Sequence, residues 1–135
     1  MKNFCALFLL SILILTGCAT TEVSTDFNTQ TSVENSEPLG AILAENYGYY
    51  LFGILPIVTG SPDKPNDVSL TLFEDTATIE NNQKMLNLEA EKLNADTLTD
   101  VRHHTYWTGG FSLWVIWKQV LSSNALAIKH KQPNQ

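Results

Sequence analysis

The sequence is short of cysteine and of positive charge. Its 135 residues hold two cysteines, Cys5 and Cys18, and eight Lys and Arg against fourteen Asp and Glu, for a formal net charge of -6. Nucleic-acid binding calls for clustered Lys and Arg, so a nucleic-acid partner is not expected, and neither is charge-driven binding to anionic lipid. Long apolar runs are scarce too. The longest, at 4–15, falls short of the roughly 20 residues a membrane-spanning helix needs, and Thr20, Thr21 and Glu22 follow closely. The glycines at 48, 53, 60, 109 and 110 form no phosphate loop. No serine lies in a nucleophile elbow, and no internal repeat is found. These shortages lead us to expect neither enzymatic activity nor a cofactor.

What is present starts at the N-terminus. Met1, Lys2 and Asn3 precede the apolar run, and small residues close it. One positive charge, a short apolar core and small residues before a cut are the anatomy of a secretory signal. The quartet Leu15, Thr16, Gly17 and Cys18 resembles a bacterial lipobox, an aliphatic residue and two small ones before Cys. That resemblance implies a signal peptide over 1–17 and a diacylglyceryl thioether on Cys18. Two or more acyl chains anchor a protein stably, at about 0.8 kcal/mol per buried methylene. Cys5 would leave with the signal and Cys18 would be consumed by lipid, so no thiol would be left for a disulfide, a metal or catalysis. The next residue is Ala19 rather than Asp. By resemblance to enteric lipoproteins this points to the outer membrane, facing the periplasm.

Residues 18–38 read as the lipidated Cys and a disordered, solvated tether rich in Thr, Ser, Asn and acids. A small folded domain is expected over 39–131. Within it, 47–60 reads as one buried extended segment with Pro56 at an edge or bulge. Prolines and aspartates make 61–67 a loop, and 68–73 alternates as a short strand. Residues 78–95 form the best helix, with Ile79, Leu86, Ala90 and Leu93 on one face and Met85 widening it. Thr78 or Asp75 caps its start and Asn94 is a left-handed stop. Glu80 and Lys84 are spaced for an i,i+4 pair. Strands follow at 96–107, 111–120 and 125–130, with turns at 108–110 and 122–124. The expected class is α+β: a small antiparallel sheet of about four or five strands with one amphipathic helix packed on one face.

Few residues in this chain offer chemistry. His103 and His104 are adjacent, so on a strand they point to opposite faces. His104 and His130 would meet if the terminal strands pair in the right register, making a partial metal site without the third ligand zinc requires. Asp100, His103 and Ser112 can be drawn as a triad, but no motif supports it. The aromatic residues form the more prominent group. Alternation sets Trp114 and Trp117 on opposite faces of one strand, and with Tyr49 and Tyr50 they are candidates for an interaction surface, since Tyr and Trp are favoured there.

The run at 48–60, GYYLFGILPIVTG, and the later LEAEKLNADTLTDVRHH resemble small bacterial TRL-like lipoproteins. That resemblance implies an envelope lipoprotein and brings no catalytic residues. Two functions stand at this point. One is a membrane-anchored, non-enzymatic module that binds an envelope protein or itself. The other is a periplasmic module binding a metal ion or a glycan.

Overall fold

The computed structural model describes residues 18–25, 35–67, 69–111 and 114–131. The expected signal peptide and most of the centre of the expected tether lie outside these residues. In chain order the elements are β1 (Cys18–Ser24), β2 (Ser36–Leu51), β3 (Leu55–Gly60), β4 (Leu70–Leu72), α1 (Ile79–Lys92), β5 (Thr97–Phe111) and β6 (Ile116–His130). Among the described residues the fold is α+β, one helix on a six-stranded antiparallel sheet of order β4-β3-β2-β6-β5, with β1 also paired to β2.

The spine of the sheet is the pair β2 and β6, joined from Ser36 opposite His130 to Leu51 opposite Ile116 with one register shift between Pro38 and Gly40. The other edge of β2 is shared. Its first half pairs with β1, from Ser24 opposite Ala41 to Cys18 opposite Tyr47, and its last residues pair with β3. β1 and β3 therefore lie end to end. At their junction a Cβ on Gly60 would stand 2.3 Å from the Cys18 carbonyl carbon. Only a residue without a side chain lets the two backbones pass so closely.

This corrects the tether at both its ends. Cys18–Ser24 is a strand and Ser36 already belongs to β2. Alternation explains β1: Ala19 and Thr21 are buried beneath the helix, while Cys18 and Thr20 are half-buried on the other face. The inward residues are small or polar, so the segment lacks the apolar signature of a core strand.

α1 begins where Thr78 accepts a hydrogen bond from the Asn81 backbone N–H, as a capping threonine does. Just past its end, Asn94 takes a left-handed φ of 55°. The inward face is Asn82, Met85, Leu86, Glu89 and Ala90, and Ile79 stands outside the core, 56% exposed. Met85 and Leu86 pack on Ala19, Ile42, Ala44, Ala125 and Ala127. The alanines keep the sheet surface flat, so the helix can sit close. Asn82 is fully buried, and the two N–H of its amide are shared among the Ala44 carbonyl at 3.1 Å, the Leu121 carbonyl at 2.9 Å and Ser123 Oγ at 3.0 Å. Lys84 pairs with Asp63 rather than Glu80.

Other boundaries move as well. The 47–60 segment is two strands, the end of β2 and β3, joined by a tight turn at 52–54. The turns expected at 108–110 and 122–124 are strand, in β5 and in an unbroken β6. Ser123 faces inward, 1% exposed, where it accepts from Asn82. A polar residue there supports the strand by side-chain bonding instead of breaking it.

Candidate functional site: the aromatic end of the sheet

α1 covers only part of the sheet. Beyond its N-terminus the last residues of β2, the first of β6 and the far part of β5 continue without a helix over them among the described residues. Tyr50, Trp107 and Trp117 share the helix-bearing face there, since Tyr50 pairs with Trp117 and Trp107 with Gln119, beside Gly48. The Tyr50 and Trp107 rings meet edge to face at 5.4 Å. Gly109 makes room for Trp117, because a Cβ at this position would come within 2.4 Å of the indole.

Trp114 and Trp117 do not flank a strand. Trp114 lies in the turn before β6 with φ 67°, and its ring centroid is 5.6 Å from that of Trp117. Trp117 Nε1 donates to the Trp114 carbonyl at 2.9 Å, closing the turn. The expectation of opposite faces fails because the residue before the strand is left-handed, which re-aims its side chain. Trp114 is 70% exposed, and Trp117 is half-buried.

Tyr49 and Tyr50 also part company. Tyr49 is on the face away from the helix, edge-on to Tyr47 at 6.3 Å, and Lys118 Nζ lies 3.9 Å above the Tyr47 ring. Tyr50 is buried and donates its phenol O–H to Asp75 at 2.7 Å. Burial, the bond to Asp75 and that carboxylate's charge all raise the phenol pKa far above its ordinary value. Tyr50 is thus a neutral structural donor and not a contact residue.

The strand registers separate the histidines. His104 sits opposite Ser122 and His130 opposite Ser36. Those positions are eight residues apart along β6, on the order of 27 Å at the rise of a strand. The two histidines cannot share a metal ion. His103 bonds Ser123 Oγ through Nδ1 at 2.8 Å, on the helix side of the sheet. Among the described residues no group of three or more His, Cys, Asp or Glu is placed to hold a metal.

Sequence reading missed the turn residues around the tryptophans. Phe52, Ile54 and Leu55 form the β2–β3 turn, and the Phe52 N–H donates to the Val115 carbonyl at 2.7 Å, tying that turn to the one bearing Trp114. Leu72 lies opposite Val58, and the Phe73 N–H donates to the Ile57 carbonyl at 3.2 Å, so the end of β4 joins the same end. Phe52, Gly53 and Trp114 are left-handed, as is Phe73. Each signal was visible only as a local apolar cluster, since it takes the sheet to gather the three segments.

Comparison with protein-family models, with curated proteins and with solved structures finds no match to this chain.

Proposed function

We propose that the protein is a lipid-anchored module of the bacterial cell envelope, held by Cys18 and non-enzymatic, that acts as a structural or protein-interaction element. The outer membrane, on its periplasmic side, is the expected location. The observation that carries this reading is the apolar run closing on Leu15, Thr16, Gly17 and Cys18. The fold is compatible with it, since Cys18 is a free, half-buried thiol at the first position of β1, on the face away from the helix. The non-enzymatic part rests on the sequence, which carries no phosphate loop or nucleophile elbow. Asn82, Glu89, Thr76 and Tyr50 are each engaged in hydrogen bonds that join the helix and its entry segment to the sheet.

The test is the mass of the N-terminal peptide from protein extracted from membranes. A peptide beginning at an acylated Cys18 is the expected result, together with release of Cys18→Ala from the membrane fraction. An unmodified Cys18 in membrane-bound protein would overturn the reading.

A further inference from the structure

We infer that the aromatic end of the sheet docks on the surface of a lipid bilayer, so that the domain stands on the membrane by a second, protein-made contact beside its anchor. The inference rests on the anchored reading for its setting, but its evidence is separate.

Seven large apolar side chains are more than half exposed among the described residues: Phe52, Ile54, Leu55, Leu72, Phe73, Ile79 and Trp114. The first five and Trp114 belong to the three joined segments at one end of the sheet, and Ile79 starts the helix whose N-terminus faces that end. Exposed apolar residues scattered singly mean little, whereas a contiguous group marks a contact surface. Three of the group, Phe52, Phe73 and Trp114, have φ of 53°, 58° and 67° and are 62%, 78% and 70% exposed. A bulky residue in the left-handed region is a rare conformation. Here it turns large rings outward, and burial inside the domain returns nothing for the strain. Strain of this kind persists at sites that meet a ligand.

Charge selects a bilayer over a polar partner. The sequence from 48 to 57 and from 105 to 117 contains no Asp, Glu, Lys, Arg or His, in a chain with fourteen acids, and the exposed acids nearest the zone, Glu74, Asp75 and Glu80, follow Phe73 and Ile79 at its margin. The first cation behind this zone is Lys118, whose ammonium lies over the Tyr47 ring. An apolar tip, Trp and Tyr around it and a Lys behind them match the order of residues at a membrane–water interface. Those two stretches carry no cation to meet anionic lipid, so the contact is apolar.

The path of the chain points the same way. β2 runs toward the aromatic end and β1 runs antiparallel to it, so the chain enters β1 at Cys18 from the side of that end. Cys18 is opposite Tyr47, four residues before the end of β2, or about 14 Å along the strand. Interfacial side chains sink roughly 5–10 Å into the headgroup and acyl boundary. With the tip at that depth, Cys18 is close to the headgroup level, where a glyceryl thioether joins its lipid.

All three tryptophans, at 107, 114 and 117, are at this end, so intrinsic fluorescence reports on it alone. The test uses the full processed chain, purified in detergent and reconstituted in phosphatidylcholine vesicles with or without lipid brominated on its acyl chains. Brominated lipid should quench the emission, and raising the salt should leave the quenching intact. The double variant Phe52→Asp with Ile54→Asp should lose most of the quenching and become open to acrylamide. Both side chains are exposed, so its thermal transition should stay close to that of the parent, which confirms folding. Emission open to acrylamide and blind to brominated lipid would overturn the inference. Emission shielded from both quenchers would overturn it in favour of a second copy or another protein on this end. The mass of the Cys18 peptide separates the two readings. Quenching without acylation sinks only the lipid anchor, and acylation without quenching sinks only the docking.

Discussion

Glu89 shows how a single residue ties the helix to β1. It is 7% exposed, accepts a hydrogen bond from Thr21 Oγ1 at 2.8 Å and lies 2.7 Å from Lys92 Nζ. Burial pushes its carboxyl pKa up, but the bonds from Lys92 and Thr21 and the charge of Lys92 outweigh it and hold the pKa below the ordinary value. A carboxylate with a lowered folded pKa stabilises the fold above its unfolded pKa, about 4.5. That contribution is lost as pH falls through the folded value. Glu89→Gln should therefore show a shallower loss of stability in acid, read as urea midpoints from pH 6 down to about 3. Tyr50 works at the other limit. Its folded pKa is raised, so its contribution is complete below the unfolded value of 10.0 and fades as pH rises above it. Tyr50→Phe should cost about 1 kcal/mol at neutral pH, through the lost bond to Asp75, and should flatten the alkaline limb of the stability curve.

At the scale of elements, the helix was legible because its signals are local. Thr78, Asn94 and the spacing of Leu86 and Ala90 lie within one stretch of chain, and the α+β class followed from one such helix among alternating segments. β1 was not legible, because Ala19 and Thr21 are inward through contact with Glu89 and Met85, far along the chain. The Thr108–Gly109 stretch looked like a turn, yet Gly109 is needed for the Trp117 ring across the strand pair. The candidate interaction residues differ in exposure. Trp114 is at the exposed end, while Tyr50 is an interior residue, since alternation cannot say which face a helix will cover. The two tryptophans should separate in stability. Trp117→Ala should cost about 2 kcal/mol or more, as it empties the space between Gly53 and Gly109, whereas Trp114→Ala should stay within about 0.5. Denaturant titrations of both variants check this, and equal losses would contradict the packing. Gly60 tests the junction of β1 and β3. Gly60→Ala puts a methyl against the Cys18 backbone, which has no flexible end to give way. β1 should detach before the rest, seen as faster amide exchange over 18–24 with β2 and β6 still protected.

The molecule as a whole is organised around contacts remote in sequence. Ser36 lies opposite His130, and every partner of β6 in β2 is far back along the chain. Such pairing places folding in the slow range of small domains, milliseconds to seconds, because loop closure must precede the contacts that reward it. The outer margins of the sheet have a different consequence. β5 is fifteen residues long, a length that invites a neighbouring molecule to add a strand. Its ladder is broken twice, between Thr99 and Arg102 and again between Thr108 and Phe111. At the first break Asp100 is left-handed and ion-paired to Arg102 at 2.9 Å. On the opposite margin β4 has three residues, and the loop carrying Asn66 is hydrogen-bonded along β1 at Ala19 and Thr21. Kinked and charged on one side, short and strapped on the other, the described sheet offers no straight template, which guards the protein against growing into cross-β fibres.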